Sequence, residues 1–240
     1  VYIGGKFVAY HKGGYLPFTV DITDFVTEDL TVSILISVHD FSDTSYHARG
    51  KQQLNRGGMF YTAQSGIWQT VWMEAVNEQA LKNVFAIPDI DQQQLVVRPE
   101  FYNEGNDNTL TVEVKDGKKT VAKRTSQASN QSTIVLPIKN AHLWSPEDPY
   151  LYDVKYTVKN AHGEVSDEVG SYMGMRKVHI SGGYFYLNNK PYFQRLVLDQ
   201  GFYPDGIWTA PSDEALRHDI ELSMQAGFNG ARLHQKVFEE

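Results

Sequence analysis

The sequence predicts a mainly β chain: two consecutive β-sandwiches, then the first β-α-β unit of an α/β domain. Three observations carry this expectation. Short runs alternating apolar and polar residues recur from residue 1 to about residue 180, each closed by turn chemistry. Near residue 183 the pattern changes to a strand-length apolar run, a capped helix and a second apolar run. The chain has 240 residues, 41% of them hydrophobic, enough for one large domain or two ordinary ones with real cores.

The elements follow in order. Val1 to Gly5 reads as a strand running into a turn, so the chain is expected to begin inside a domain. Phe18–Thr23 and Leu30–Val38 alternate, and Ile67–Glu74 is a β-prone aromatic run that closes residues 1–76, a first sandwich. Turns at Lys12-Gly13-Gly14, Asn55-Arg56-Gly57-Gly58 and Gln64-Ser65-Gly66 separate these runs. Residues 77–180 hold further strands at Gln94–Pro99, Thr109–Val114, Ser132–Ile138, Leu151–Val158 and Glu168–Tyr172. The polar stretch Asn103–Asn108 is expected as a hairpin loop, and Lys115–Arg124 as a solvated hairpin tip. About seven short strands over roughly 100 residues fit an immunoglobulin-like sandwich. Residues 181–240 then open the α/β domain. Tyr184–Tyr192 is a hairpin turning at Asn188-Asn189-Lys190, and Phe193–Asp199 is apolar enough for a buried parallel strand. Ser212 caps a helix with Asp213 and Glu214 in its first turn and an apolar stripe of Leu216, Ile220 and Met224. Gly227 ends that helix, and Asn229–His234 begins the next strand. A domain that stops after one such unit leaves unpaired strand edges and uncovered apolar surface.

Composition removes several function classes. A net charge of -7 without any Lys/Arg patch disfavours a nucleic-acid partner, because phosphate binding needs a basic surface. No Cys is present, so there is no disulfide framework, thiolate metal site or cysteine nucleophile, which fits a cytoplasm or a bacterial periplasm equally. No apolar run approaches the ~20 residues of a membrane helix. The eight histidines show no metal-ligand spacing and no phosphate loop occurs, so no cofactor is expected.

Several motifs, in order, resemble family 2 of the glycoside hydrolases, the family of β-galactosidases, β-glucuronidases and β-mannosidases. They are Val1-Tyr2-Ile3-Gly4-Gly5, Gly14-Tyr15-Leu16-Pro17-Phe18 with Asp21-Ile22-Thr23, and Ser65-Gly66-Ile67-Trp68-Gln69-Thr70-Val71. Leu143-Trp144-Ser145-Pro146 with Pro149-Tyr150-Leu151-Tyr152, Gly174-Met175-Arg176-Lys177 and Leu187-Asn188-Asn189-Lys190-Pro191 follow. Gly227-Phe228-Asn229-Gly230-Ala231-Arg232 is the last. The resemblance implies a partial sugar-binding jelly roll over 1–76, an immunoglobulin-like domain over 77–180, and the start of a truncated (β/α)8 barrel over 181–240. It implies a β-glycoside as partner and homo-oligomer assembly through the sandwiches.

Retaining glycosidases need two carboxyl groups about 5–5.5 Å apart. The family carries these glutamates at the ends of the fourth and seventh barrel strands, which would fall beyond Glu240, so none of the residues here is expected to be catalytic. Asn77-Glu78 and Asn103-Glu104 follow no barrel strand, and Glu239 and Glu240 read as a solvated chain end. Barrel sites are built at the C-terminal ends of strands, which nominates Asp199, Arg232 and His234 as substrate-binding. Arg232 matches the family's barrel arginine beside the nucleophile, where its charge would hold a carboxylate ionised, with a structural ion pair as the alternative. His234 lies one place earlier than in many relatives, so a packed strand histidine stands beside the substrate role. Asp199 replaces the N-x-H-E region of many β-galactosidases and could accept hydrogen bonds from sugar hydroxyls. Trp208 could stack on a sugar face or pack its own loop. Arg49-Gly50-Lys51-Gln52 lies in a polar loop of the kind that reaches the barrel mouth in relatives, with a plain solvent-exposed loop as the favoured alternative. A non-catalytic carbohydrate-binding module is the competing reading.

Overall fold

The computed structural model describes residues 1–28, 31–105 and 107–236. They fall into two compact units, one of Met73–Arg195 and one that joins Val1–Trp72 to Leu196–Glu240. Leu30, Asn106, Glu239 and Glu240, each named in the sequence reading, lie outside the described residues.

In Val1–Trp72 the regular strands are two residues long. β1 (Tyr2–Ile3) lies between β2 (Lys6–Phe7) and β3 (Ile34–Leu35), and β4 (Gln52–Gln53) runs parallel to β5 (Tyr61–Thr62). The runs expected as strands at Phe18–Thr23 and Ile67–Glu74 are irregular, with a 3-10 turn at Thr23–Phe25. A physical reason is visible in the burial. Ile34, Leu35, Ile36 and Val38 all remain exposed, so their alternation has no second sheet to pack against among the described residues of this unit.

Met73–Arg195 is a sandwich with a closed core. Its strands are β6 (Leu81–Asp89), β7 (Gln94–Phe101), β8 (Thr109–Asp116), β9 (Lys119–Gln127), β10 (Ile134–Pro137), β11 (Tyr152–Lys159) and β12 (Val165–Met173). They form two antiparallel sheets, ordered β10-β7-β6 and β12-β11-β8-β9. Strict alternation builds the core: Leu95 and Val97 of β7 meet Leu110, Val112 and Val114 of β8 and Val154, Tyr156 and Val158 of β11. The ring of Tyr156 carries its hydroxyl inside, and burial pushes that phenol up to about 12. A cross-sheet tie comes from Asp167, whose carboxylate accepts the Leu81 amide at 2.8 Å.

Two expectations change here. Residues 103–108 join β7 to β8, which belong to different sheets, so this stretch is a crossover and not a hairpin loop. Its Glu104 accepts the Asn130 amide at 2.5 Å, fixing the crossover against the turn before β10. The basic run Lys115–Arg124 does form a hairpin, but only Gly117-Lys118 is its tip and the rest is strand. β9 is an edge strand with one solvated face, so polar residues dominate it and hide its pattern.

After the sandwich, β13 (Val178–Ser181), β14 (Tyr184–Leu187) and β15 (Lys190–Pro191) form a meander. Asn188 and Asn189 both take left-handed φ (51° and 64°), the conformation that a two-residue hairpin turn requires and that Asn tolerates.

The other unit ends in β16 (Leu196–Asp199), α1 (Asp213–Gln225) and β17 (Gly230–Leu233), with β16 and β17 parallel. Ser212 caps α1 as expected, its hydroxyl accepting the Ala215 amide at 3.2 Å, and Gly227 follows the helix at φ 87°. The helix stripe of Ile220 and Met224, together with Leu196 and Leu198 of β16, is exposed.

Candidate functional site

Asp199, Arg232 and His234 lie at the ends of β16 and β17. Register places Leu198 beside Arg232 and Asp199 beside Leu233. Side chains alternate along a strand, so Arg232 and His234 share one face and Asp199 belongs to the other. Asp199 is tied locally: its carboxylate accepts the Gly201 amide at 2.7 Å, and its carbonyl accepts the His234 amide at 2.8 Å. Arg232 is exposed.

The polar loop Arg49–Gln52 reaches the same place. A Cβ on Gly50, whose φ is +63°, would stand 2.3 Å from the Gln235 carbonyl oxygen and 3.3 Å from the Trp208 ring. Only glycine fits that approach. Desolvation first, then the charges of Lys51 and Arg232, hold the His234 imidazole below its ordinary 6.5. The site is therefore cationic around a histidine that favours its neutral form.

Trp208 is the packed centre of this loop layer, 4% exposed. Its ring meets Trp68 edge-on at 5.8 Å and Phe202 at 5.6 Å, and Phe202 stacks on Tyr61 at 4.1 Å. Its amide donates to Gln64 at 3.1 Å, and Gln52 in turn accepts the Gln64 amide at 3.0 Å. The enclosed ring offers packing to the loop and no open face to a sugar.

Lys236 was not singled out from sequence. Its buried ammonium donates to the carbonyls of Gly201 (3.0 Å) and Trp208 (2.5 Å) and lies 5.3 Å from the Trp208 ring centre. The period-two series Arg232, His234, Lys236 was the available signal. Among the described residues no three His, Asp or Glu side chains converge as a metal site, and no helix is long and apolar enough to cross a membrane.

Other motifs turn out to be architectural. The Arg176 guanidinium lies 4.5 Å over the Trp144 ring, and a Cβ on Gly174 would meet that ring at 3.1 Å. The Trp144 amide donates to the Met175 carbonyl (3.0 Å), while Asn188 donates to the Trp144 carbonyl (3.0 Å). Three motifs thus close on one indole at the end of the sandwich.

Comparison with known proteins supports the resemblance. The model of "Glycosyl hydrolases family 2" matches residues 79–176. A β-galactosidase of Thermoanaerobacter pseudethanolicus is 30% identical over 97% of this chain and 32% of its own length. A β-glucuronidase of Sus scrofa is 27% identical over 80% of this chain and 32% of its own length. Among solved structures, a family 2 member from Bacteroides cellulosilyticus aligns with a TM-score of 0.75 at 22% identity, covering 97% of this chain and 32% of that one. The β-glucuronidase of Ruminococcus gnavus in complex with D-glucuronic acid gives 0.73 at 22% identity, covering 96% and 40%. Residues 79–176 thus match family 2 of the glycosyl hydrolases, and nearly the whole chain is similar to a member of it. It spans between 19% and 33% of the length of the curated relatives it matches.

Proposed function

We propose that this chain supplies the sandwich frame and the opening of the catalytic barrel of a retaining exo-β-glycosidase that removes terminal β-linked sugars, β-galactosides foremost. The carrying observation is the parallel β16-α1-β17 unit, at whose strand ends Arg232 and His234 share one face and Asp199 stands on the other, in a chain similar to this family. In this reading residues 1–76 form part of a sugar-binding jelly roll. Residues 77–180 are an immunoglobulin-like domain, a reading that the three- and four-stranded sheets support. Residues 181–240 begin a (β/α)8 barrel.

The two catalytic carboxyl groups lie outside these 240 residues. Arg232 keeps the nucleophilic carboxylate ionised by opposite charge, and Asp199 accepts hydrogen bonds from glycone hydroxyls. His234, held neutral, exchanges a hydrogen bond with substrate without adding charge. Trp208 and Lys236 act behind these groups by fixing the loop that follows β16.

A specific observation favours a second substrate. Lys51 and Arg232 both act on His234, and neither has an ion-pair partner among the described residues. Such a cationic corner suits an acidic glycone as well as an enzyme carboxylate. The test is hydrolysis of nitrophenyl β-galactoside, β-glucuronide and β-mannoside by the gene's full reading frame and by its Lys51→Met variant. Preference for the galactoside, unchanged by the substitution, fits the first reading. Preference for the glucuronide, reduced about tenfold or more in the variant, fits the second. Sugar binding without turnover of any of the three would leave a carbohydrate-binding module.

A further inference from the structure

Gly170 sits in the middle of β12, an edge strand, and nothing in the packing asks for glycine there. Its φ is not left-handed, and an added Cβ would meet no atom within 4 Å. The register shift of the β11–β12 pair is at Val158/Lys159, away from this position. Glycine weakens a strand interior, and apart from bends and bulges it marks places where a ligand or another backbone comes close; among the described residues no backbone does so here. The surroundings fit that last case. Register sets Gly170 opposite Lys155 and Tyr172 opposite Asp153, with Lys115 next across the sheet from Asp153. These residues, with Glu168, line an open cleft of about 620 Å³ on the outer face of the four-stranded sheet. Tyr172 is 70% exposed and walls one side of the notch that the missing side chain leaves. On the other side the Lys155–Glu168 pair, at 2.8 Å, presents a fixed donor and acceptor.

We propose that this notch is a binding site for a neutral saccharide, separate from the strand-end site and independent of the glycosidase reading. A pyranose has an apolar C–H face that suits an exposed phenol ring, and a rim of hydroxyls that pair with ammonium and carboxylate groups. Two lysines and two carboxylates cancel in charge around the notch, which selects against anionic ligands and leaves polar, uncharged ones.

The test is electrophoresis of the 240-residue chain in native gels containing galactan, mannan or xylan, beside Tyr172→Ala and Gly170→Val. Valine suits a strand and meets open space at position 170, so that variant fills the notch without disturbing the fold, as an unchanged melting temperature would show. The proposal expects at least one polysaccharide to retard the unsubstituted chain, with apparent affinity falling about tenfold or more in both variants. It is overturned if no neutral polysaccharide retards the chain, or if both variants are retarded equally well. Conversion of a dimer into a monomer by Tyr172→Ala in sedimentation would also overturn it, by assigning the face to a second copy of the chain.

Discussion

His234 reports on the candidate site more directly than any other residue. Desolvation and the charges of Lys51 and Arg232 all disfavour its protonated form, so its folded-state pKa lies below the unfolded value. The unfolded chain therefore takes up the proton first as pH falls through about 6.5, and stability drops over the window below that value. Lys51→Met removes one of the two cations and should move the midpoint of the His234 NMR titration to higher pH. No movement would separate the Arg49–Gln52 loop from the site. A second titration tests the sandwich. The hydrogen bond from Tyr150 to Asp116 pushes that phenol up to about 12, and Asp116→Asn should bring its ultraviolet titration back toward 10.

At the scale of elements, energy is concentrated in the two sheets of Met73–Arg195. Leu95 is fully buried, so Leu95→Ala should cost about 2–5 kcal/mol in urea unfolding. Val165 is 55% exposed on β12, and Val165→Ala should stay within about 0.5 kcal/mol. Equal effects would mean that the sheets do not share this core. The same contrast explains what could be read in the sequence. β7, β8 and β11 bury every second residue, so alternation revealed them; α1 declared itself through Ser212 and Gly227. β9 was hidden because an edge strand has no need of an apolar face. The runs Phe18–Thr23 and Ile67–Glu74 misled for the opposite reason, since neither alternation nor β propensity makes a ladder without a partner strand, and among the described residues neither run pairs. The positions of Arg232 and His234 at the end of β17 were legible from strand-end logic. Lys236 was not singled out, because its place in the period-two series after Arg232 and His234 does not announce that two carbonyls and an indole will enclose it.

For the molecule as a whole, the division into two units has a testable consequence. Met73–Arg195 contains the entire buried cluster of the sandwich, so residues 73–195 expressed alone should unfold in one cooperative urea transition. The central proposal is a division of labour, in which these 240 residues hold and orient a β-glycoside and the carboxyl pair that cleaves it lies elsewhere. The most direct measurement compares nitrophenol release from the three β-glycosides by the purified 240-residue chain and by the gene's full reading frame. Turnover by the longer protein with none by this chain is the predicted result. Turnover by the chain itself, surviving repurification, would contradict the account and place a working carboxyl pair among residues read here as frame.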